Sequence, residues 1–267
     1  MKGLVQKTRS YVLHSNVITF GRWPRRTVIL LHGIGNSGIA WRDVVSQLEG
    51  KDVRIIVIDL LGFGRSPRPK HAEYDVATQA KSVRLTCLLR GVAMQKVRVV
   101  GHSMGALVAI EYARRYPTRT QSLLLCSPPL YAPPSSRKLI PTSDALLRKL
   151  YTAVRSSPRQ FLRLSGLAMK YELINTAFDV NDENIGSYMN ALQAAIINQT
   201  SLDDIAKLTL PIHIVRGTLD PVLVPKHIKR LVRTHDNIVS SAIVAGHEVT
   251  GRFAVKVATL LKRDLSQ

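Results

Sequence analysis

Ser103, Asp220 and His247 stand far apart in the chain, yet their types and settings could together perform nucleophilic catalysis. A serine hydroxyl attacks a carbonyl at neutral pH only when a neighbouring base takes its proton, and that base must be held in one tautomer by an acid. Ser103 lies at the centre of Gly101-His102-Ser103-Met104-Gly105, between an apolar run at 97–100 and a helix-patterned run at 106–116. Glycines two before and two after the serine relieve the crowding of a sharp strand-to-helix turn, so the pentapeptide reads as a nucleophile elbow. Asp220 and His247 also follow strand-like runs, in the chain order nucleophile, acid, histidine. In a parallel sheet such strand ends open on one rim, where distant residues converge. An oxyanion would need two backbone donors; Met104 offers one amide, and the loop His32-Gly33-Ile34-Gly35 offers the other from Ile34, with Gly35 the alternative. His102 reads as a loop support, because adjacent residues on a tight turn point in different directions. Among the acids that compete with Asp220, namely Asp59, Asp203 and Asp204, Asp59 also lies at a strand end but opens a glycine-rich loop and reads as its organiser.

The elements that must position these residues alternate. Strand-like segments at 10–14 and 17–20 form an antiparallel opening, and the buried-strand run at 27–31 ends in the glycine-bearing loop 32–38. A helical segment at 40–48, a strand at 53–58, a loop opened by Asp59 and a helix from Val76 toward a stop at Gly91 come next. After the elbow, Pro117 ends the helix and 123–126 is a further strand. Strict alternation predicts a mostly parallel sheet with right-handed crossovers. Two proline pairs within 127–136 break it, and up to about residue 200 the patterns are helical only: 146–154, 161–168, and 185–196 behind Asn181-Asp182-Glu183. The expected division is an α/β core of residues 1–127 plus 205–267 with a helical cap, or lid, at 128–204. Strands resume at 210–215 and 241–244, leading to Asp220 and His247, and a last helix follows.

Composition narrows the classes. The chain has 267 residues, 45% hydrophobic and 21% charged, which is ordinary for a globular protein. Absence of an apolar leader pattern in residues 1–26, and of any run of about 20 apolar residues, predicts a soluble, unprocessed protein with no membrane insertion. Cys87 and Cys126 lack metal-ligand spacing and read as reduced and buried, favouring a cytoplasmic address. No zinc, P-loop or dinucleotide motif occurs, so neither metal nor cofactor is expected. The net charge is +20, from 38 Lys and Arg against 18 Asp and Glu. Because these cations are scattered from Lys2 to Arg263 without a nucleic-acid motif, they read as a cationic solvated surface with no specific nucleic-acid partner.

His32-Gly33, Asp59 through Ser66, Gly101 through Gly105, Gly217 through Asp220 and Gly246-His247 stand in an order that resembles the α/β-hydrolase fold family over almost the whole chain. The resemblance implies a sheet of about eight strands, a helical cap after the sixth, and hydrolysis through an acyl-enzyme on Ser103. Relatives that open epoxides or remove halide carry aspartate where Ser103 stands. Carbon-carbon hydrolases of ring-fission products use serine, but typically show Pro-Gly-Ala and a tryptophan where this chain has Asn36-Ser37-Gly38 and Glu248. The expected activity is hydrolysis of carboxylic esters of small or medium acyl groups. Carbon-carbon or thioester cleavage by the same triad, and a noncatalytic ligand-binding role, are the alternatives; oligomeric state is not legible.

Overall fold

The computed structural model describes residues 9–131, 152, 156–157, 160 and 179–266. Its centre is a sheet of seven strands among the described residues: β1 (Ser15–Phe20), β2 (Arg26–Leu31), β3 (Val53–Ile58), β4 (Val97–His102), β5 (Thr120–Cys126), β6 (Ile212–Gly217) and β7 (Ile238–Ile243), in spatial order β1-β3-β2-β4-β5-β6-β7. Only β1 is antiparallel; β2 through β7 run in parallel, with Leu31 beside Ile58 and Gly101. The eighth expected strand, at 10–14, is not one. Its amides donate to side chains instead, Tyr11 to Ser82, Leu13 to Thr86 and His14 to Ser66, so the segment is tied to a helix and a loop rather than to a sheet edge. Chain periodicity predicts extension but cannot tell which partner satisfies the backbone.

Helices cover both faces. α1 (Arg42–Ser46) is preceded by a 3₁₀ turn, Gly38–Trp41, where one helix over 40–48 was expected. The turn is tightened because the Asp59 carboxylate accepts the Gly38 amide at 2.6 Å. α2 (Val76–Leu89) starts at Asp75, whose side chain caps the Thr78 amide at 2.7 Å, and stops before Gly91 at φ +77°. α3 (Met104–Arg115) leaves the elbow directly. α4 (Ile185–Ala191) runs into a π-helical turn, Leu192–Ile197, and α5 (Ser201–Ile205) follows. α6 (Pro225–Thr234) and α7 (Gly251–Ser266) follow β6 and β7.

Alternation along the strands builds the two cores. Ile29 and Leu31 of β2 join α2 and α3, while Val28 and Leu30 join Trp41, Phe253 and Val257 beneath α1 and α7. All four β2 side chains are fully buried, each contributing about 1.5–3 kcal/mol. This is the double burial that a continuous apolar run signals. The carboxyl ends of β2, β4, β6 and β7 therefore share one rim.

The chain leaves β5 at Ser127 and is held toward α6: Tyr131 Oη donates to the Val222 carbonyl at 2.6 Å and His227 Nδ1–H to that of Leu130 at 2.8 Å. Of the expected helices at 146–154 and 161–168, all but residue 152 lie outside the described residues. The third forms as α4 and its π-helical turn, burying Tyr188, Leu192 and Ile196.

Candidate active site

Ser103 adopts φ +51° and ψ −119°, a region costly for a residue with a Cβ. Close packing holds it there. A Cβ on Gly101 would lie 2.3 Å from the Gly105 carbonyl oxygen, and one on Gly105 would lie 2.3 Å from that of Leu31. Both glycines are thus demanded by backbone crossing backbone. The Ser103 amide donates to Cys126 on β5 at 2.9 Å, and its hydroxyl points to the rim.

Two further loops meet it there. The loop after β6 carries Asp220 and the loop after β7 carries His247; they can touch because Gly217 has no side chain, a Cβ there falling 2.2 Å from the Gly246 carbonyl oxygen. His247 Nε2 lies 2.9 Å from Ser103 Oγ, and His247 Nδ1 lies 2.8 Å from Asp220 Oδ2. The Val222 amide donates to Asp220 Oδ1 at 2.9 Å. The structure thus brings all three predicted residues into one hydrogen-bonded chain. Burial favours neutral His247, but the hydrogen bond and charge of Asp220, helped by Glu248, more than offset it and raise the imidazole pKa above its usual value. Burial likewise opposes the Asp220 charge, and its bonds to His247 and Val222 overcome that and hold the carboxyl below the usual range. Ser127 also contributes to this lowering, although its hydroxyl lies outside ordinary hydrogen-bond geometry.

The loop after β2 passes against the serine. A Cβ at Gly33 would lie 3.2 Å from Ser103 Cβ, so the next amide, that of Ile34, belongs to the segment lining the serine. Met104 opens α3, and its amide therefore has no acceptor within the helix. Gly35, the alternative donor, has φ +75° and accepts the Asp179 amide at its carbonyl at 2.7 Å.

Neighbouring polar residues hold these loops. His102 is 3% exposed and donates from Nε2 to the His247 carbonyl at 2.9 Å; burial, partly opposed by Glu248, pushes its pKa down to about 4. It is a neutral brace under the histidine loop, as expected of a support. Asp59 accepts the amides of Gly38 and Arg65 and the Nδ1–H of His14, which gives the loop organiser its contacts. His32 does more than form part of a loop. It is fully buried, donates to Gly33 and accepts the Leu60 amide at 2.8 Å, locking two strand-end loops together, and burial lowers its pKa. Glu248 directly follows His247 in the chain. It receives Asn36 Nδ2 at 3.5 Å and so links the first loop to the histidine loop. His213 lies within β6 against Ser241, away from this rim.

A cleft of about 470 Å³ at the amino ends of β5 to β7 is lined by Leu124, Ile212, His213 and Asp264. It has no elbow, and the Ser122 hydroxyl on its wall donates to Asp264 rather than to a histidine. Among the described residues no group of three or more His, Cys, Asp or Glu could hold a metal ion, and no helix is long and apolar enough to cross a membrane. Cys87 and Cys126 are buried free thiols, and burial pushes Cys87 up to about 12.

Known proteins share this arrangement of strands. The chain is 32% identical over 114 residues to a probable lysophospholipase, BODYGUARD 4, of Arabidopsis thaliana, covering 42% of this chain and 27% of that protein. It is 27% identical over 217 residues to Lipase 3 of Moraxella sp. (strain TA144), covering 74% and 64%. The matched stretch spans only about a quarter of the length of the first curated relatives. Among solved structures, an esterase from Exiguobacterium antarcticum superposes with a TM-score of 0.76 at 18% identity, covering 97% of this chain and 99% of that one. A thermophilic esterase from Thermogutta terrifontis gives a TM-score of 0.71 at 24% identity, over 95% and 93%. Residues 26–211 match the profile of the alpha/beta hydrolase fold, and the chain belongs to that family.

Proposed function

We propose that the protein hydrolyses carboxylic esters of small or medium acyl groups through a Ser103-His247-Asp220 triad. The observation that carries this reading is the unbroken hydrogen-bonded chain from the Ser103 hydroxyl through both nitrogens of His247 to Asp220, with the serine raised on a strained elbow. Lipase and lysophospholipase relatives support an ester as the bond broken.

In this mechanism the Ser103 oxygen attacks the ester carbonyl carbon as its proton passes to His247 Nε2. Asp220 keeps the other proton on Nδ1 and balances the imidazolium that forms. The carbonyl electrons move onto oxygen, and the amides of Met104 and Ile34 receive that oxyanion; loss of one such donor typically costs about 3 kcal/mol of transition-state stabilisation. Collapse expels the alcohol, which takes the proton from His247. Water then repeats the sequence on the acyl-enzyme: His247 removes its proton, the carbonyl carbon takes its oxygen, and Ser103 leaves reprotonated. Residues 128–204 are assigned as a cap. The Asp179 amide donates to the Gly35 carbonyl and the Ser187 hydroxyl to the Tyr74 phenol oxygen at 3.1 Å, contacts that support this assignment.

The test is hydrolysis of a chromogenic ester series from acetyl to long acyl chains, with Ser103→Ala in parallel. Turnover that peaks at one chain length and vanishes in the variant is expected. Absence of both turnover and an acylation burst on every ester would overturn the ester assignment and move the search to thioester and carbon-carbon substrates, which the same triad could cleave.

A further inference from the structure

Cations scattered along the sequence gather in the fold at the end of the sheet opposite Ser103. The turn from β1 to β2 carries Arg22, Arg25 and Arg26 across the amino end of β3, next to Lys51. Its closeness to that strand is measured at Gly21, where a Cβ would lie 2.2 Å from Asp52 Oδ1. The 91–96 loop, which ends in Lys96, reaches the same edge: the Thr27 hydroxyl at the start of β2 donates to Gln95 Oε1 at 3.1 Å. None of these five cations forms an ion pair with a carboxylate among the described residues, and Glu49 and Asp52 are the acids nearby in sequence.

Apolar side chains stand exposed among them. Trp23 is 78% exposed at the tip of the turn, Met94 72% exposed in the 91–96 loop, and Leu89 63% exposed where α2 ends. Arg54 joins these parts by donating to the Arg90 carbonyl. Unpaired arginine and lysine around an exposed tryptophan and aliphatic groups suit the bilayer interface, where the indole rests at headgroup depth and the cations meet anionic headgroups. Nucleic acid fits less well, because single strands are gripped by successive stacking rings and Trp23 offers one.

We propose that this end of the protein docks peripherally on the anionic surface of a lipid bilayer, with Trp23 at the interface and Arg22, Arg25, Arg26, Lys51 and Lys96 against the headgroups. Docked in this way, the protein keeps the rim that holds Ser103 turned toward water. Lipid docking and ester hydrolysis therefore stand or fall separately.

The chain has two tryptophans, and Trp41 is 1% exposed, so a change in emission on docking reports Trp23. The experiment titrates the full chain with phosphatidylcholine vesicles, with and without phosphatidylserine, at low and high salt, following emission and co-sedimentation. A blue shift and binding only with phosphatidylserine, both weakened by salt, are expected. Trp23→Phe then abolishes the shift, and the paired change Arg22→Gln with Arg25→Gln weakens partition about 25-fold, at about fivefold per cation. No blue shift with anionic vesicles, equal binding to neutral ones, or wild-type partition by the paired variant would each overturn the proposal. Binding to duplex DNA as tight as to the vesicles, and equally weakened in the paired variant, would identify a general polyanion face and overturn the lipid assignment.

Discussion

His102 gives a direct physical test of how the histidine loop is held. It ends β4 in a buried setting and donates its Nε2–H to the His247 carbonyl, which it can do while neutral. Burial is the main reason that its pKa falls from 6.5 to about 4, with Glu248 opposing and His247 assisting. The unfolded chain takes up this proton near pH 6.5 and the folded protein only near 4. Because the folded value is depressed, the stability linked to His102 is whole above pH 6.5 and is lost as pH falls toward 4. The complete loss amounts to about 3 kcal/mol, of which about 2 kcal/mol falls between roughly pH 7 and pH 5. His102→Gln places an amide donor at similar reach but cannot titrate. Urea unfolding of both proteins at the two pH values is the assay. Wild type is expected to lose about 2 kcal/mol more than the variant on acidification. Equal losses would refute the reasoning, since they would mean that His102 titrates alike in the folded and unfolded chains.

Three other perturbations address the rim. In the proposed mechanism His247 must be neutral to accept the Ser103 proton, and Asp220 and Glu248 raise its pKa, so kcat/KM on a small ester should rise with pH through a midpoint above 6.5. Glu248→Gln removes a charge that favours the imidazolium and moves that midpoint to lower pH; an unmoved midpoint would show the carboxylate to be screened from His247. Asp220→Asn is expected to lower kcat about 10⁴-fold by releasing the tautomer, and single-turnover acylation rates would contradict this if they stayed within about tenfold of wild type. Gly105→Ala puts a Cβ 2.3 and 2.5 Å from the carbonyl oxygens of Leu31 and His32, atoms of a buried backbone that cannot turn aside. It is expected to destabilise by about 3 kcal/mol, lowering Tm by roughly 6–12 °C, and a wild-type Tm would mean that the elbow relaxes without cost.

How far the chain could be read from its letters differs by scale. Runs such as 27–31 and 97–100 announce buried strands, and Gly101 with Gly105 announces a turn, because each signal is local. The segment at 10–14 looks equally extended, yet its amides find the hydroxyls of Ser82 and Thr86 about 70 positions later. Nothing near residue 10 encodes those partners. Charge shows the same limit: Arg22, Lys51 and Lys96 look dispersed until strand order brings their loops to one end.

The rim depends on the same kind of distant pairing. Ser103, Asp220 and His247 can be picked out by type and chain order, but their relative placement rests on side chains that announce nothing locally. His32 joins the loops after β2 and β3; Asp59 gathers amides from Gly38 and Arg65. His102 fixes the backbone of His247, while Asn36 and Glu248 connect the first loop to the last. Each bond satisfies a polar group where water is scarce, and its loss leaves that group or its partner unpaired. A shift of about 1 Å at the serine can cost on the order of 100-fold in rate. Polar residues away from the reacting atoms are therefore a condition of the geometry between Ser103 and His247. Substituting them tests the site through the position of His247 rather than through its chemistry.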